Sequence, residues 1–163
     1  MVNGDYRLDD PPAAFANLFR ALKPGGRLVF VTWAEGAANG WWTIPNAAVR
    51  AHLPVPEAAE GGPCAFSLSV PARIHGLLGR AGFEDVQLTR FEQPLWVASD
   101  VSDAVAFFEQ SAGDLRAHVP DEIVNRILLT LRASLATYVE PDGVYLPAAA
   151  WIVASRRPAA CTD

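Results

Sequence analysis

The sequence predicts an α/β domain, and three observations carry that reading. The stretch "RALKPGGRLVFVTW", Arg20 to Trp33, reads as a helix end, a tight turn and a buried strand. Two further strand-like runs, 85–91 and 148–155, each follow a helical pattern. The length of 163 residues suits one domain over 1–163, and a chain of that size buries roughly 68–70% of its unfolded surface.

The elements follow in order. Asp10 can cap a first helix, Pro11 takes its first position, and Phe15, Leu18, Phe19 and Leu22 recur at helical spacing. Pro24-Gly25-Gly26 ends it as a plain turn. A phosphate loop would instead follow a strand and open a helix. Leu28 to Trp33 is apolar on both faces apart from Thr32, the pattern of a strand covered on both sides. The stretch of about 34–70 is the least regular, rich in Gly and Pro, with a short helix near Pro45–His52. Pro71 opens the next helix, with Ile74, Leu77, Leu78 and Ala81 on its apolar face and Gly82 as its stop. Val86 and Leu88 alternate in a strand with one wetter face. Asp100 caps a helix through Phe108, and Pro120-Asp121-Glu122 starts the longest one. Its stripe is Ile123, Val124, Ile127, Leu128, Leu131, Leu135 and Tyr138, which places Leu128 mid-stripe in the core. Pro141-Asp142-Gly143 is a turn before the last strand.

Composition excludes several classes. Hydrophobic residues make up 51% and charged residues 19%, a globular balance. The net charge is −5, and Arg156-Arg157 is only a pair, so no nucleic-acid partner and no anionic membrane surface is expected. No apolar run approaches the ~20 residues of a membrane span. Met1 to Asp10 is charged and has no apolar stretch, which argues against a signal peptide and for the cytoplasm. Cys64 and Cys161 lie far apart and read as unpaired thiols, and no metal spacing exists. His52, His75 and His118 are candidate bases, yet none has a Cys, Ser or carboxylate at a telling spacing, so each reads as a surface or structural histidine. Asp9-Asp10 reads as a capping pair. No catalytic residue is assigned.

Four segments, "FANLFRALKPGGRLVFVTW", "NGWW", "RIHGLLGRAGFEDVQL" and "DGVYLPAAAWIVASRRP", together resemble the C-terminal half of a class I S-adenosylmethionine-dependent methyltransferase. The chain is similar to the small-molecule enzymes of that class, such as the ubiquinone/menaquinone C-methyltransferases. The resemblance runs from about Leu8 to Pro158. It implies a partial Rossmann-like fold: a mixed three-stranded sheet in the family's order five-seven-six, with the last strand antiparallel in the middle. It also implies that the first half of the fold, with its Gly-rich donor turn and acidic ribose ligand, is absent. The sequence contains no G-x-G.

S-adenosylmethionine is thus the cofactor of the intact family, and none is expected to bind this chain alone. The resemblance places Trp33, Asn39, Trp41 and Trp42 in the loop that walls the substrate pocket, where flat aromatics can stack on a ring or simply plug the sheet end. For the chain by itself the packing role is preferred. The implied function is the substrate-side half of a small-molecule methyltransferase, inactive alone. The alternative is a non-catalytic dimeric module that binds a small apolar ring compound. A homodimer is expected in either case. The first strand would stand at the sheet edge with nothing to guard it, and Phe15, Leu18, Phe19 and Leu22 would offer a second apolar face.

Overall fold

The computed structural model describes residues 10–54, 65–111 and 115–160. In chain order the elements are α1 (Pro11–Ala21), β1 (Arg27–Trp33), a 3-10 turn at Gly36–Ala38, α2 (Gly40–Arg50), α3 (Pro71–Ala81) and β2 (Glu84–Glu92). There follow β3 (Leu95–Ala98), α4 (Val101–Ser111), α5 (Leu115–His118), α6 (Asp121–Leu135), a 3-10 turn at Ala136–Tyr138, β4 (Val139–Glu140), β5 (Gly143–Leu146) and β6 (Ala149–Arg156). They group into two compact units. The first takes the described residues of Met1–Gly36, Ala58–Phe91 and Ala149–Asp163, and the second those of Ala37–Glu57 and Glu92–Ala148.

The first unit holds a sheet in the order β1-β6-β2. The last strand therefore lies between the other two, as expected. It runs antiparallel to β1, in a register from Arg27↔Arg156 to Trp33↔Ala150. Local chemistry sets the helix ends. Asp10 Oδ1 accepts the Ala13 N–H at 3.0 Å, which satisfies one free amide of the first turn of α1. Gly82 ends α3 at φ +95°, a conformation that favours glycine, and a Cβ there would lie 3.1 Å from the Phe19 ring. Phe15, Leu68, Ile74, Leu77, Leu78, Phe83 and Val153 form the core, with Leu28 and Phe30 packed against it.

The expectation that β1 is covered on both faces is overturned. Its burial alternates, and Val29 and Val31 are 59% and 63% exposed. The core draws Leu28 and Phe30 from β1, Val86 and Leu88 from β2 and Trp151 and Val153 from β6. Those alternate positions share one face of the sheet, and α1 and α3 both supply side chains to that cluster. An apolar strand sequence asks for cover on its second face, but cover comes from other elements.

The second unit carries a sheet that the sequence reading did not anticipate, in the order β3-β5-β4 with both pairings antiparallel. Its strands have only 4, 4 and 2 residues, too short for an alternation to register. Glu140 pairs with Gly143 around Pro141-Asp142, so the expected turn closes a hairpin. Asp100 Oδ1 accepts the N–H groups of Ser102 and Asp103 at 2.7 and 2.9 Å and caps α4. On the 15-residue α6, Val124, Ile127, Leu131 and Leu135 are buried, whereas Leu128 is only half-buried. The stretch expected to be irregular contains α2, which starts at Gly40 and has Pro45 inside it. Pro45 forfeits one backbone bond, but Ala48 is buried and Trp41, Ile44 and Val49 pack on the core of this unit, which holds the helix together. Among the described residues no helix is long and apolar enough to cross a membrane.

Candidate functional site

The second unit brings together three of the four predicted site residues. Asn39 precedes α2 as its N-cap, but its side chain makes no cap bond. Instead Asn39 is fully buried, and its Oδ1 accepts the Trp41 indole N–H at 3.0 Å. Its carbonyl accepts the N–H groups of Trp42 and Thr43 at 3.0 Å and the Thr43 hydroxyl at 3.2 Å. Gly40 is required by a close approach: its N–H donates to Pro147 O at 2.7 Å, and a Cβ would lie 2.8 Å from Pro147 Cδ. The helix start is thus pinned from both sides, and the two indoles are held with it. Trp41 packs into the core of the unit, while Trp42 is 42% exposed. Their ring centroids are 6.3 Å apart at 70°, an edge-to-face pair. The arrangement presents one fixed aromatic surface backed by another.

Trp33 belongs to the first unit, where it is half-buried at the end of β1 opposite Ala150. Just beyond it, sequence reasoning missed an ion pair. Arg90 forks onto Glu35, with Nη1 to Oε2 at 2.9 Å and Nη2 to Oε1 at 2.6 Å. The same guanidinium lies 5.4 Å above the Trp151 ring, whose N–H donates to Ser69 O at 2.9 Å. The hydrogen bonds from Arg90 hold the Glu35 carboxyl at a pKa of about 2. The two residues are 55 positions apart, and no local motif links them.

The histidines are placed as structural or surface residues. His52 is hydrogen-bonded to Thr130 Oγ1 at 2.7 Å, which ties the turn after α2 to α6. His75 and His118 are exposed. Asp10 caps α1; Asp9, Cys64 and Cys161 lie outside the described residues. Among the described residues no group of three or more His, Cys, Asp or Glu could hold a metal ion. At the start of β1 a shallow recess of about 390 Å³ is lined by Arg27, Asp85, Gln87 and Arg156, with Asp85 at φ +53°. All four side chains are exposed.

Several glycine amides beside the strand ends already have partners. Gly25 gives its N–H to Arg157 O and Pro158 O at 3.0 and 3.1 Å, and Gly26 gives its own to Lys23 O at 2.8 Å. The Gly40 amide is taken by Pro147, and the carboxylate that follows β1, Glu35, is taken by Arg90.

No family model matches the chain, and no curated protein matches it. Solved structures similar to it include a Bacillus halodurans C-125 protein assigned as a methyltransferase, at 18% identity and a TM-score of 0.46, over 95% of this chain and 61% of that one. Haemonchus contortus phosphoethanolamine N-methyltransferase 2, with phosphomonomethylethanolamine and S-adenosylhomocysteine, is similar at 15% identity and a TM-score of 0.39, over 95% of this chain and 32% of that one. Its complex with S-adenosyl-L-methionine is similar at 14% identity and a TM-score of 0.37, over 93% and 31%. The chain thus spans less than two thirds of each of these proteins.

Proposed function

We propose that this chain supplies the acceptor side of an S-adenosylmethionine-dependent small-molecule methyltransferase and does not hold the donor by itself. The observation that carries the reading is the Asn39-held indole pair at the start of α2. A buried amide whose acceptor is spent on one indole fixes that ring, and the ring beside it stays accessible. The four-segment resemblance and the middle position of the last strand support the same reading. The acceptor is a small aromatic or apolar ring compound, which such a surface stacks for about 0.5–1.5 kcal/mol beyond area burial. The donor's chemistry is an electrophilic methyl group on a sulfonium. The part of this chain is to hold the acceptor in one orientation, since position and orientation supply much of the barrier reduction in such transfers.

Two titrations test the reading. Small aromatic ring compounds should quench the indole fluorescence of the native chain and should fail to do so in Trp42→Ala. Calorimetry with S-adenosylmethionine should show no binding of useful affinity. Ring binding indifferent to Trp42→Ala would overturn the acceptor role, and one-to-one micromolar donor binding would overturn the division of labour.

A further inference from the structure

We propose that two copies of this chain pair antiparallel along β1, about a two-fold axis at Phe30, to make one continuous sheet. β1 is an outer strand: among the described residues it pairs with β6 and with no other strand. It has seven residues, and its register with β6 is unbroken. Protein sheet edges are normally guarded by a proline, a bulge, a central charge or a very short strand. β1 has none of these, since its single charge, Arg27, sits at one end.

The strand is also complementary to itself. An antiparallel pairing centred on Phe30 sets Arg27 opposite the second copy's Trp33, Leu28 opposite Thr32 and Val29 opposite Val31. Pairs across a two-fold perpendicular to the sheet keep their faces, so the exposed Val29 and Val31 meet their counterparts on the bare face. Arg27, which faces the like charge of Arg156 within its own sheet, gains an indole as a neighbour. A one-residue shift would mismatch the faces, a parallel pairing in register would bring the two Arg27 side chains together, and a two-residue shift would keep the faces but shorten the pairing and part Arg27 from Trp33.

The rival surface, the apolar side of α1, is already used. Phe15 is buried, and Phe19 and Leu22 pack on the core of their own unit. Of the four residues only Leu18 remains exposed, at 43%. An edge of seven residues is about 24 Å long at ~3.4 Å per residue, and pairing over that length sits at the small end of specific interfaces, below about 1,200 Å². The dimer should therefore form in the micromolar range and dissociate on dilution.

Sedimentation of the native chain over a dilution series should show a dimer giving way to a monomer. Val29→Lys, an exposed position outside the core, should be a monomer at every concentration while circular dichroism stays native. Adding Val31→Glu to it should restore the dimer, because the register sets position 29 against position 31. Amide exchange on the native chain gives an independent reading: β1 protection should rise with protein concentration. A native monomer throughout, a dimer indifferent to Val29→Lys, a failed rescue, concentration-independent exchange in β1, or a dimer lost on Leu18→Glu would each overturn the pairing.

Discussion

Asn39 illustrates how one buried polar side chain can order a surface. Its amide oxygen has an indole N–H to accept, so a group that would be costly to bury becomes a fixed point. Asn39→Ala should strand the Trp41 N–H and cost about 1–3 kcal/mol in urea unfolding, with loss of near-ultraviolet dichroism from the Trp41–Trp42 pair. Glu35 gives a test by pH. Its folded pKa, about 2, lies below the ordinary 4.5. The group therefore contributes stability above 4.5, and that contribution is lost as pH falls towards 2. The carboxylate is half exposed, so the contribution is small. The direct check is a carbon chemical-shift titration: the Glu35 midpoint should lie near 2 and should return towards 4.5 in Arg90→Gln. At this scale the sequence points to candidate residues but not to their bonds. Asn39, Trp41 and Trp42 stand within four positions and are easily named together. The partners Glu35 and Arg90 meet only through the fold.

At the scale of elements, what decides each outcome is whether the signal is local. Asp10, Gly82 and Asp100 act within three residues of a helix end, and each does what its chemistry predicts. In the second sheet only the turn between β4 and β5 is announced locally, whereas β3 has no such signal, because Leu95 finds its partner at Leu146. α2 was legible only in part, since Gly40 and Pro45 both argue against a helix that tertiary packing then supports. α6 shows how a correct stripe can still misplace its centre. Its periodicity is right, but the buried line runs through Val124, Ile127, Leu131 and Leu135, and Leu128 lies at its border. Leu135 is fully buried in the core of the second unit, so Leu135→Ala should cost about 2–5 kcal/mol in urea unfolding. Leu128→Ala should cost clearly less. Equal losses would mean that the border of the stripe is packed as densely as its centre.

At the scale of the molecule, the ends of the first unit are joined by contacts that no local pattern announces. In the sequence Arg157 is one half of an ordinary basic pair before a proline. In the fold its Nη1 donates to the carbonyls of Phe19, Arg20 and Leu22, at 2.9, 3.3 and 2.6 Å, across more than 130 positions. Those carbonyls are the ones left without partners where α1 stops, and a cation is favoured there by the helix dipole as well. The guanidinium also lies 4.6 Å from the Phe19 ring centroid. The backbone repeats the link: Gly25 N–H donates to Arg157 O, and Arg157 N–H donates to Gly26 O at 2.8 Å. The Pro24-Gly25-Gly26 turn is here the seat of the segment that leaves β6. Arg157→Met separates the effects, since it keeps an apolar stem over Phe19 and deletes the donors. It should lower stability by about 1.5–3 kcal/mol, the range for a hydrogen bond to a charged group. Amide exchange should localise the loss to the last turn of α1 and the turn after it. A variant as stable as the native chain, with unchanged protection at Phe19–Leu22, would show that water satisfies those carbonyls as well as Arg157 does.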